Sequence, residues 1–134
     1  MADDYFANFW RDKINDHLFG GSPYVRPTSY TFIAMSTLAT AAGGGVAAAG
    51  FNPLAYASGS GNFSASSGQQ TTNLTALSFG NNSGGTVTVV GITIFDNLSP
   101  ANQVGQGALN TPITIPNGAP LTIPIGALVL GWAP

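Results

Sequence analysis

From Tyr24 to its end this chain is a succession of short β-branched and aromatic runs, each stopped within a few residues by Gly, Pro or Asn. Such punctuation leaves little room for long helices and points to an all-β body of many short strands. Residues 86–95, TVTVVGITIF, are the strongest run. Their β-branched side chains on both faces predict a central, buried strand. Residues 71–79, TTNLTALSF, alternate instead, with Leu74, Ala76 and Ser78 on one face and Asn73, Thr75, Leu77 and Phe79 on the other. Further strands are expected at 30–36, 104–109, 113–115, 121–125 and 127–132. Turns are expected at 81–85, Ser99-Pro100, Thr111-Pro112 and Pro116-Asn117-Gly118.

The first 21 residues follow a different period. Phe6, Phe9, Trp10, Ile14, His17 and Leu18 recur at spacings of three and four and predict an amphipathic helix. Asp3 or Asp4 suits its start, and Gly20-Gly21 its end, with Gly20 as the left-handed cap. A stripe containing Phe6, Phe9 and Trp10 must be covered, either by the protein's own sheet or by a neighbour. The expected fold is mainly β: an antiparallel β-sandwich or jelly roll with one N-terminal α-helix. Residues 1–21 form the helix and residues 22–134 the β body, with an irregular Gly/Ala/Ser-rich excursion at about 40–70.

Charge is distributed as unevenly as periodicity. Asp3, Asp4, Arg11, Asp12, Lys13, Asp16 and Arg26 precede residue 27, and Asp96 alone follows. The charged fraction is 6%, against roughly 25% in ordinary domains. Hydrophobic content is an ordinary 44%, so the chain does not have the composition of a disordered one. A body so poor in charge is expected to be covered by other subunits, and hence to belong to a homo-oligomer or lattice. A net charge of -2 gives no electrostatic hold on nucleic acid or anionic lipid. No apolar run reaches the ~18 residues that would span a bilayer, and the acidic start MADDYF is unlike a basic signal peptide. There is no cysteine.

Catalytic chemistry finds few materials. His17 is the single histidine, no G-x-S-x-G elbow occurs, and there is no glutamate. Asp12 and Asp16 lie one helical turn apart and serve as a solvated face. The glycine runs lack the Lys-Ser/Thr ending of a phosphate loop, and no calcium-loop spacing is present. The expectation is a protein that is not an enzyme, with no catalytic residue, cofactor or metal.

Several patches, taken in order, carry a resemblance. They are INDHLFGGSPYVRPTSYTFIAMST at 14–37, Tyr56 before a small-residue loop, Asn73 to Phe79, and V-x-x-x-G-I-x-I-F-D at 87–96. G-x-L-x-x-P-x-x-I-x-x-G follows at 107–118, with a terminal strand at 126–130. Together they resemble small structural proteins of tailed bacteriophages, of the head-decoration or tail-fibre kind. The resemblance spans about two-thirds of the chain and implies a β-sandwich on the virion that contacts other subunits.

These readings converge on a virion structural protein, made in the bacterial host cytoplasm. The leading expectation is a capsid decoration or cement protein on the capsid surface, clamping the major capsid protein and copies of itself. The alternative is a tail, fibre or baseplate component that contacts tail proteins and binds the host surface. A third reading is a β-sandwich that binds a small ligand or carbohydrate. Phe6, Phe9, Trp10 and Ile14 on the helix and Trp132 in the last strand are the expected interface residues, since aromatic anchors dominate interfaces.

Overall fold

The run richest in β-branched residues lies at the centre of the fold, hydrogen-bonded on both sides. The computed structural model describes residues 5–59, 61–68 and 70–131, the side chain of Tyr5 excepted. Its elements begin with β1 (Tyr5–Phe6), α1 (Asn8–Asn15) and a π-helical turn (Asp16–Gly20). There follow β2 (Ser29–Thr37), β3 (Val46–Ala47), β4 (Leu54–Ala57), β5 (Gln70–Thr72) and β6 (Leu77–Gly80). The chain closes with β7 (Val87–Asp96), β8 (Gln103–Ile115), β9 (Pro120–Ile123) and β10 (Val129–Gly131).

Six strands form one antiparallel sheet in the order β1-β8-β7-β2-β3, with β4 also paired to β2. The second layer consists of two antiparallel ladders, β6–β9 and β5–β10. Phe32 and Ala34 of β2 and Val89, Ile92 and Ile94 of β7 face Leu77, Phe79, Leu121, Ile123 and Leu128 across a common core. The protein is therefore a mainly β, antiparallel, sandwich-like fold with one N-terminal helix. Behind the large sheet, Leu38 lies against Gly91. A Cβ on Gly91 would stand 2.6 Å from a Leu38 methyl carbon and 2.4 Å from the carbonyl of Gly107, so the glycine in the central strand is imposed by close packing.

Several boundaries differ from the sequence reading, each for a local reason. The expected turn at Thr111-Pro112 is a bulge inside the single strand β8: Val89 pairs with Ile113 and Gly91 with Ala108, so residues 109–112 face Val90 alone. Proline, which has no N–H to give a ladder, is tolerated there. The expected strand 71–79 is broken between β5 and β6, yet its alternation holds, with Asn73, Leu77 and Phe79 buried and Leu74, Ala76 and Ser78 exposed. The excursion at 40–70 contributes β3 and β4 to the edge of β2.

Buried Asn73 sits at the break, and a second buried asparagine, Asn81, follows β6. Asn73 donates from Nδ2 to the carbonyls of Thr75 (2.8 Å) and Pro124 (2.9 Å), and its Oδ1 accepts from the Leu128 N–H (3.0 Å). Asn81 donates from Nδ2 to the carbonyls of Gly85 (3.0 Å) and Ile115 (2.9 Å). Their main-chain carbonyls accept from Gly126 and Gly118 respectively, glycines held at φ 76 and 80. The clamped turns are related in sequence: Ile-Pro-Asn-Gly-Ala at 115–119 and Ile-Pro-Ile-Gly-Ala at 123–127. One lies at each end of β9.

Candidate assembly face and core cavity

The helix begins later than its periodicity suggests. Its N-cap is Ala7, which makes no side-chain capping bond, while Asp3 and Asp4 lie outside the described residues. Phe6 is not helical: it belongs to β1 and pairs with Gly105. The Ala7 N–H continues that contact by donating to the Val104 carbonyl at 2.8 Å. At the other end the π-helical turn takes up one extra residue, so the left-handed position falls on Gly21 (φ 76) rather than Gly20.

The structure draws Phe6, Phe9 and Trp10 together around a residue the periodicity did not reveal, Tyr24. The Trp10 and Tyr24 rings meet edge-on at 4.8 Å, Phe9 and Tyr24 at 6.5 Å, and Phe6 and Trp10 at 6.1 Å. His17 fastens the segment, its Nδ1 accepting from the Tyr24 N–H at 3.1 Å. Nothing in an isolated tyrosine between two prolines reports such a role, because the contact depends on how 22–27 folds back along α1. The Tyr24 hydroxyl is buried without a hydrogen-bond partner among the described residues. Burial, with smaller contributions from Tyr30 and Asp96, pushes its pKa up to about 12.

The helical stripe is thus divided. Trp10 packs against the core, and Phe9 and Ile14 are half-buried. Beyond them Leu18 is 64%, Phe19 86% and Val25 83% exposed, all three within the charged N-terminal segment. Lys13 and Asp16 make a solvent-facing ion pair at 3.9 Å, a contact that adds little stability. Trp132, the other expected anchor, lies outside the described residues.

Behind Trp10, the two layers enclose a cavity of about 450 Å³ that is partly open to solvent. Ile92 and Ile94 of the large sheet, Leu128 and Leu130 near the chain's last strand, and the rings of Trp10 and Phe63 all line it. Arg26 and the Tyr30 ring also line it. Burial pushes the Tyr30 phenol pKa up, with Arg26 opposing that shift, so the group remains a hydrogen-bond donor.

Among the described residues no helix is long and apolar enough to cross a membrane, and no three potential metal ligands cluster. A charge-poor antiparallel β body with an aromatic-rich helix at its edge has the character of a structural subunit. The chain matches a family model over residues 5–131, and it belongs to that family, described as podophage GP4 fiber I protein gp80. It is accordingly a bacteriophage structural protein of the virion. No curated protein matches the chain.

Proposed function

We propose that the protein is a fibre-type subunit of the virion, joined to copies of itself and to tail proteins by apolar contacts, with no catalytic role. The family match over residues 5–131 carries this reading, since the family is described by a fibre protein. The exposed Leu18, Phe19 and Val25 supply an apolar contact surface, and burying apolar area is what holds stable subunit interfaces together.

A second reading is capsid decoration, clamping the major capsid protein from outside. It is favoured by the β body beyond Arg26, whose single charged side chain, Asp96, is 1% exposed and leaves a broad neutral surface for neighbours to cover. Antibody labelling of intact particles separates the two. Label at the tail, with a few copies per particle, is the expected result. Hundreds of copies spread over the head would overturn the fibre assignment in favour of decoration.

A further inference from the structure

The cavity has a cause in the strand register. Ile94 pairs with Gly105, which pairs with Phe6 on its other side, and Ile92 pairs with Gly107. Directly paired residues place their side chains on the same face. Gly105 and Gly107 therefore stand where two side chains would enter the space that Ile92, Ile94 and Phe6 border. Both glycines lie within extended β8, and neither has a positive φ, so backbone conformation does not require them. Glycine inside a strand weakens it and marks the approach of a backbone or a ligand. For Gly105 and Gly107 the neighbouring feature is the cavity.

The polar fittings are as informative. Ser58 donates to the Pro27 carbonyl and Ser64 accepts from the Thr72 N–H, so both hydroxyls are engaged within the wall. Arg26 lines the same space with an exposed side chain, and among the described residues no acidic group lies within ion-pair distance of it. Tyr30 lines the space as well. An apolar chamber with a cation and a phenol suits an amphiphile, since binding sites combine apolar walls with a few polar groups that orient the ligand.

We propose that the space between the two sheet layers is a binding site for a small anionic amphiphile of the fatty-acid type. Its hydrocarbon part lies against Ile92, Ile94, Leu128 and Leu130, over Gly105 and Gly107, and its carboxylate meets Arg26. The volume of about 450 Å³ is near three times the ~150 Å³ that admits a benzene, which accommodates a chain of medium length. This site is independent of where in the virion the protein stands.

The test is titration of the isotope-labelled full-length protein with decanoate and, separately, with decanol, followed by amide chemical shifts and calorimetry. Saturable one-to-one binding is expected, with shifts centred on Gly105, Gly107, Leu128 and Leu130. Arg26→Gln should weaken decanoate about tenfold, the loss of one charge-assisted contact, and leave decanol unchanged. Gly107→Leu should abolish binding of both. A nitroxide-labelled fatty acid added to the unsubstituted protein gives a readout that does not depend on how that variant folds: resonances of the same four residues should broaden. Absence of saturable binding, or shifts confined to Leu18, Phe19 and Val25, would overturn the site. Equal weakening of both ligands by Arg26→Gln would overturn the placement of the carboxylate.

Discussion

Asp96 and Tyr24 illustrate two ways of placing a polar group in a neutral body. Asp96 closes β7 and is fully used: its carboxylate accepts from the main-chain N–H groups of Leu98 (3.2 Å) and Asn102 (2.8 Å) and from Asn102 Nδ2 (2.9 Å). A short acidic side chain opening a turn after a strong strand is readable from sequence, because it bonds the backbone two residues on. The bond to Asn102 is not readable, since it depends on the path of the loop. Tyr24 is the converse, a buried hydroxyl with no partner among the described residues. Its raised pKa means that the folded state prefers the protonated phenol. That preference is fully present below the ordinary tyrosine pKa near 10 and is lost as pH rises toward about 12. Thermal stability should therefore fall across this alkaline interval, and Tyr24→Phe should flatten the fall in a pH series of melting curves. At neutral pH the same variant should be more stable by roughly 1 kcal/mol, the low end of the cost of an orphaned buried hydroxyl. A variant less stable at neutral pH would mean that the hydroxyl has a partner.

At the level of elements, face assignment survives where boundaries do not. Leu77 and Phe79 are buried and Ala76 and Ser78 exposed as their alternation requires, although β5 and β6 are separate strands. Burial depends on side-chain parity, which a break leaves intact, whereas continuity depends on bonds made by residues distant in sequence. The eight-residue recurrence of Ile-Pro-x-Gly-Ala was the available signal for the two clamped turns. Their partners Asn73 and Asn81 stand eight residues apart too, on an antiparallel stretch. Asn81→Ala and Asn73→Ala should each cost about 2–3 kcal/mol in denaturant melts, since each strands several buried backbone groups. The corresponding aspartate variants should recover little, because a carboxylate cannot donate to the paired carbonyls. A loss below ~0.5 kcal/mol in either alanine variant would refute the clamp.

For the whole molecule, the question is what covers the apolar surface that folding leaves outside. Leu18, Phe19 and Val25 adjoin a body with almost no charge, so attachment of the protein in the particle should rest on apolar area. Release from particles should then change little between about 0.1 and 1 M salt, the range over which screening of exposed charges becomes nearly complete. Phe19→Ser should promote release at either salt concentration, with an expected loss of ~2 kcal/mol if the ring is buried at the contact. Steep release by salt alone would instead assign the attachment to ion pairs of the N-terminal segment. The β class, the single helix, the central strand and the separation of charge from neutral body were legible in the order of residues, because each follows from local periodicity and composition. The joining of β8 through Pro112, the hub at Tyr24, the late start of α1 and the cavity over Gly105 and Gly107 were not. Each depends on which distant strands become neighbours and in what register, and that choice is made by packing across the core rather than by local sequence preference.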